Sequence, residues 1–233
     1  LTAAFSEFID PNPSADNGFG ETIVVLSTGN VVITSPYDDA GGTDAGAVYL
    51  YDGSTQELIS TLIGSSDYDY VGIDGVTALA NGNFVVSSSE WKNGEATEAG
   101  AVTFGNGVTG VSGIVSANNS LVGSSTNDYV GFNDYGISAV TALSNGNYVV
   151  ASAFWDNGVI VDAGAVTFGD GTTGVTGVIS ETNSLVGSTD YDNVGYGDED
   201  APAVTELTNG NYVVVSPDWT NGEALFAGAV TFG

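Results

Sequence analysis

Leu143-Ser144-Asn145-Gly146-Asn147-Tyr148-Val149-Val150 decides the fold, because close versions of it occur four times. Its relatives begin at Leu26-Ser27-Thr28-Gly29-Asn30, Leu79-Ala80-Asn81-Gly82-Asn83 and Leu207-Thr208-Asn209-Gly210-Asn211. Asn-Gly between two short Val-rich runs is a hairpin signal, since both residues tolerate the positive φ of a primed two-residue turn. Working outward, strand A precedes the turn at residues 76–79, 140–143 and 204–207. Strand B follows it at residues 84–87, 148–151 and 212–215. A second landmark, Ala-Gly-Ala-Val, opens strand C, with its glycine at Gly46, Gly100, Gly164 and Gly228. Strand D holds Leu62-Ile63, Leu121-Val122 and Leu185-Val186. The landmark glycines are 54, 64 and 64 residues apart, and the longer spacing is read as an insertion just before strand A.

A four-stranded unit of this length is the size of a propeller blade. The expected fold is therefore all-β, a β-propeller of four four-stranded blades in a single domain over residues 1–233. The fourth copy stops at Gly233 without a strand D. Residues 5–9 are the one unassigned segment resembling such a strand. They are expected to complete the last blade, either in their own chain or in a neighbouring one, because an open edge invites association. The start at Leu1 suggests a processed protein or a fragment.

Composition narrows the function. The chain carries 29 acids and one base, Lys92, for a net charge of −28. That charge repels nucleic acid and anionic membranes. No apolar run is long enough to span a membrane as a helix. With no His and no Cys, thiolate and imidazole metal sites and the common nucleophilic dyads are excluded. Near-absence of Lys and Arg also leaves little for trypsin-like proteases, which suits an extracellular location.

Phe19-Gly20 through Ser35-Pro36 to Gly46-Ala47-Val48-Tyr49-Leu50-Tyr51 resembles the FG-GAP repeat of integrin-α-type propellers. Among copies two to four, Asn-Ser-Leu-Val-Gly-Ser occurs in copies two and three, Asn-Gly-Asn-Tyr-Val-Val in copies three and four, and Ala-Gly-Ala-Val-Thr-Phe-Gly in all three. In these they resemble repeats of large bacterial surface proteins of the filamentous-haemagglutinin kind. The resemblance implies a propeller at a bacterial surface. It does not carry over a calcium loop between strands A and B, where this chain has a turn without carboxylates.

Alternating strand direction places the D–A and B–C loops on one face, and 22 of the 29 acids fall in them. Asp67, Asp69 and Asp74, and Asp190, Asp192, Asp198 and Asp200, are the densest groups and the candidate Ca2+ ligands. Asp69, Asp128 and Asp192 each lie three residues before a glycine, so a role in binding turn amides stands beside the metal reading. Trp91, Trp155 and Trp219 recur at one place, matched to Tyr37 in the first copy. They are candidates for stacking on sugars or for packing between repeats. The expected function is a non-enzymatic extracellular module with adhesive or structural work, self-associating through the N-terminal strand or binding a glycan or surface protein. A calcium-dependent carbohydrate-binding propeller is the alternative, and a glycoside hydrolase using paired carboxylates the third reading.

Overall fold

The computed structural model describes residues 6–132, 138–197 and 201–233. Among the described residues seventeen strands fall into four sheets, each built on the antiparallel strands of one copy. The first copy contributes β1 (Ile23–Val25), β2 (Val31–Ser35), β3 (Ala47–Tyr51) and β4 (Leu58–Ile63). The second contributes β5 (Val76–Ala78), β6 (Phe84–Ser88), β7 (Ala101–Gly105), β8 (Gly113–Ile114) and β9 (Ser120–Val122). The third contributes β10 (Val140–Ala142), β11 (Tyr148–Ser152), β12 (Ala165–Gly169), β13 (Gly177–Val178) and β14 (Ser184–Val186). The fourth contributes β15 (Val204–Glu206), β16 (Tyr212–Ser216) and β17 (Ala229–Phe232). In each sheet the order is A-B-C, with D beside C where it exists.

The A–B connection is one residue longer than the expected two-residue primed turn. Leu143 N–H donates to Asn147 O, and Gly146 N–H donates to Leu143 O. This is a three-residue loop ending in a left-handed residue. Only the glycine takes positive φ (89° at Gly146), so Asn145 is left to use its side chain elsewhere. The second landmark glycine is demanded by close approach. A Cβ on Gly100 or Gly164 would lie 2.2 Å from the backbone N of Val130 or Val194, where the D–A loop crosses.

The four sheets stand face to face in an open row, not a propeller. Alternation along each strand feeds two cores. Val32, Val48 and Leu62 of the first sheet meet Phe84, Val86 and Ala101 of the second. Val85, Val102 and Leu121 meet Tyr148, Val150 and Ala165 of the third. Val149 and Val166 meet Val204 and Val214 of the fourth. Among the described residues no strand pairing joins the fourth sheet to the first. The expected closure fails for a visible reason. The back of the first sheet, which closure would need, is already covered. Phe8 packs edge-on against Tyr51 at 5.3 Å, Phe19 lies 5.9 Å from Tyr49, and Tyr51 Oη donates to Ile9 O at 2.7 Å. The described part of the segment read as strand D of the last blade, residues 6–9, is thus a cap on the first sheet; Phe5 lies outside the described residues.

Half of the extra length in the later copies also sits elsewhere than expected. Ala47 pairs with Ile63, sixteen positions on, whereas Ala101 pairs with Val122 and Ala165 with Val186, both twenty-one on. The five added residues lengthen the C–D connection. There they form β8 and β13, which pair in parallel with strand D of the preceding sheet. Each longer copy thereby adds a strand to its predecessor.

The opposite face carries a ladder of amides. Asn83 Oδ1 accepts from Gly107 N in its own copy at 2.9 Å, and Asn83 Nδ2 donates to Gly171 O of the next copy at 2.8 Å. Asn30 donates to Gly107 O, and Asn147 accepts from Gly171 N, in the same way. A Cβ at Gly107 or Gly171 would fall within 2 Å of a carbonyl oxygen, so only glycine fits the rung. Asn83→Ala removes one bond within a copy and one between copies. It is expected to cost about 1–3 kcal/mol, measured by urea unfolding, and an unchanged midpoint would refute the ladder's contribution.

Candidate functional site

On the acidic face, each D–A turn closes around one aspartate. Asp69 Oδ2 accepts the N–H groups of Ser65 and Ser66 at 2.8 and 2.9 Å, and its Oδ1 accepts Lys92 N–H from the next copy at 3.2 Å. Asp128 binds Ser124, Ser125 and, across the boundary, Asp156 N–H at 3.0 Å. Asp192 binds Ser188, Thr189 and Thr220 N–H at 2.9 Å. All three side chains are buried. The residue that crosses the boundary follows the recurrent tryptophan each time. Trp91 and Trp155, only 4% and 3% exposed, drop into the cores between copies one and two and between copies two and three. Trp219 packs partly buried against the third core. The indole N–H groups of Trp91 and Trp155 have no partner among the described residues, so these rings contribute by packing.

The other candidate residues lie apart. Asp67 Oδ1 accepts Thr43 N–H, Asp190 Oδ1 accepts Val161 N–H, and Asp74 Oδ2 accepts Ser89 N–H. Asp198 and Asp200 are outside the described residues. Among the described residues no three carboxylates converge as a metal group. Tyr37 is 37% exposed and is not the structural counterpart of the tryptophans. Gly46 N–H donates to Asp38 O where Gly100, Gly164 and Gly228 donate to Trp91, Trp155 and Trp219. The tryptophan position of the first copy is therefore Asp38. Its buried carboxylate accepts from Tyr49 Oη at 2.6 Å and Asn12 Nδ2 at 2.9 Å. Burial and this acid hold the Tyr49 phenol far above its ordinary value, and burial pushes Tyr51 up to about 12.

A family model described as a repeat of unknown function (DUF5650) matches residues 25–73, 78–132, 142–196 and 206–233. The chain belongs to the DUF5650 repeat family. This corrects the likeness to FG-GAP and filamentous-haemagglutinin repeats, which rested on hairpin and Gly-Ala-Val phrases that any tight antiparallel unit can share. No curated protein matches the chain. Each matched span in the first three DUF5650 repeats runs from strand A through the D–A turn, so it contains the aspartate that grips the next repeat.

One cavity on this face was not anticipated. Tyr129, Phe132 and Phe154 line a space of about 420 Å³ with Asp74, Ser89 and Glu90. The ring centroids are 6.0, 6.5 and 6.3 Å apart. Phe154 directly precedes Trp155, and Phe132 follows Tyr129 by three. The signal available in the sequence was the change of type before the tryptophan, from Glu90 to Phe154 to Asp218.

Two outcomes follow from the interlock. Trp155→Ala is expected to lose about 3–5 kcal/mol, as full truncation of a buried aromatic does. Asp128→Asn keeps an acceptor for its own turn but presents N–H to Asp156 N–H. It should lower the melting temperature with the strands retained in circular dichroism, and a wild-type melting temperature would contradict the bridging role. The pH dependence has a defined sign. Burial raises the Asp69, Asp128, Glu90 and Asp162 carboxyls above their ordinary values. The folded state then holds protons more tightly than the unfolded state, so stability falls as pH climbs from the ordinary value near 3.8 through the raised ones. Asp52 and Asp170, both fully exposed, are lowered and act only in the acid below that window. Melting temperature at low salt is expected to rise from pH 7 to about pH 5, and a steady decline over that range would overturn the assignment.

Proposed function

We propose that this protein is a non-enzymatic extracellular module with structural or adhesive work, and that its fourth sheet is completed end-on by a C–D segment of its own repeat kind. What is shown is coarser: an all-β repeat protein with no catalytic motif, and among the described residues no helix long and apolar enough to cross a membrane.

The forward face of the fourth sheet carries the proposal. β17 superposes by register on β12, with Ala229, Val230, Thr231 and Phe232 in the places of Ala165, Val166, Thr167 and Phe168. Val166 is 3% exposed and Val230 is 71% exposed. The free side of β17 is an unpaired strand edge among the described residues, a place where a strand can add. Cavities of about 260 and 400 Å³ lie between the third and fourth sheets. Val115 fills that position at the first boundary and Ile179 at the second. The occupant that satisfies edge and cavities together is a C–D segment of a DUF5650 repeat. The first repeat of a second copy of this chain fits poorly, because its back is capped and Asp38 stands in place of tryptophan.

The test adds in trans a peptide with the sequence of residues 115–131, which carries Val115, the strand D residues Ser120, Leu121 and Val122, and Asp128. The peptide should raise the melting temperature of the whole chain in a saturable way, while a scrambled peptide should not. No shift at millimolar peptide would refute the end-on reading.

A further inference from the structure

We propose that the cavity walled by Tyr129, Phe132 and Phe154 and edged by Asp74 and Glu90 binds a methylated ammonium group.

The three rings supply the first argument. Each aromatic face is negative, and a cation within about 6 Å of a ring centroid is attracted to it. With centroids 6.0–6.5 Å apart, one cation seated over the triangle lies within about 6 Å of all three centroids. The rings are tilted to one another by 49°, 83° and 34°, so they offer no common plane for a sugar ring to stack on. Tyr129 is held in place from its partner side: its Oη donates to Glu98 Oε2 at 2.8 Å, and its N–H donates to Glu98 O at 3.0 Å.

Charge supplies the second. Asp74 and Glu90 stand at the cavity and Glu98 behind Tyr129. Partial burial first, and then the charges of Asp74 and Glu98, push the Glu90 carboxyl above its ordinary range. The sole basic residue, Lys92, is engaged elsewhere. Its ammonium donates to Asp67 O and lies 5.6 Å from the Tyr68 ring. That engagement is an internal precedent. At the preceding boundary Tyr37, Tyr68 and Tyr70 form a chain of rings 5.8 and 6.0 Å apart, and a cation from the chain itself rests at its edge. The residue in Lys92's position one repeat later is Asp156, so the Tyr129 cluster has the rings and the acids but no ammonium of its own.

The ligand class follows. A hard metal ion asks for six or more oxygens, and no such group forms among the described residues. An alkylated ammonium is weakly hydrated and matches aromatic faces backed by carboxylates. The space of about 420 Å³ is within the range of small-molecule sites.

Choline chloride is the probe, titrated into the full chain by calorimetry, with sodium chloride at equal ionic strength as the control. Saturable heat with choline alone is expected. Phe154→Ala should weaken it at least fivefold, and Glu90→Gln two- to threefold, with unchanged circular dichroism because both side chains are partly exposed. If Phe154→Ala fails to fold, Phe132→Ala serves in its place. Flotation with phosphatidylcholine vesicles separates the sources: co-flotation assigns a lipid headgroup, and choline binding without flotation assigns a free small molecule. Superimposable choline and sodium chloride titrations, or a folded Phe154→Ala or Phe132→Ala with wild-type choline affinity, would overturn the proposal.

Discussion

Each buried aspartate of the D–A turns collects three backbone N–H groups, two from its own turn and one from the next repeat, and the row depends on that arrangement. A buried carboxylate without partners would neutralise or unfold its surroundings. Here every bond it makes is to a donor, and a carboxylate is the side chain that only accepts. Asparagine would turn one of the three contacts into a donor facing a donor. The amide from the next repeat belongs to the residue after its tryptophan, so the polar clamp fixes the direction in which the indole enters the core. Hydrophobic burial supplies most of the energy at Trp91 and Trp155, and the clamp supplies the register.

The same device explains how a chain with charge −28 can pack closely. Interior acids are answered by amides rather than by cations, of which the chain has one. Most of the remaining acids are distributed over loops of one face, where water and counterions screen them. The opposite face is held by neutral groups, the Asn–Gly ladder, so attraction between neighbours there carries no charge penalty.

Strands A, B and C were legible in the sequence because short Val-rich runs flank a recurrent Gly-Asn turn and follow a recurrent Ala-Gly-Ala-Val. The landmark glycines were legible as landmarks, though their reason, the D–A loop crossing at Val130 and Val194, lies far off in the chain. What could not be read is short or ambiguous. β8 and β13 are two residues each and show no pattern. Residues 5–9 resemble an edge strand in composition, yet Phe8 finds a ring partner in Tyr51 and covers the face that closure required. Matching Tyr37 to the tryptophans followed aromatic type, whereas the backbone bond to Gly46 puts Asp38 there, one residue on. The aspartates were legible as turn residues, but the third amide comes from another repeat, and nothing local announces it. The aromatic cavity was invisible because its walls come from four separate loops.

The repeat divides its positions into two kinds. Asp, Trp, the ladder Asn and the crossing Gly make contacts between neighbours, and changing any of them breaks a boundary. The position before the tryptophan is not held to one residue type. It reads Tyr37, Glu90, Phe154 and Asp218 through the four copies, and the position of Tyr70 reads Tyr129 and then Asn193. These side chains emerge on the acidic face at a fixed spacing set by the interlocks beneath them. A lysine-filled aromatic cluster, an open aromatic cavity and a polar surface thus succeed one another on the same backbone. A frame built this way holds its shape through the residues it repeats and takes its binding chemistry from the ones it does not.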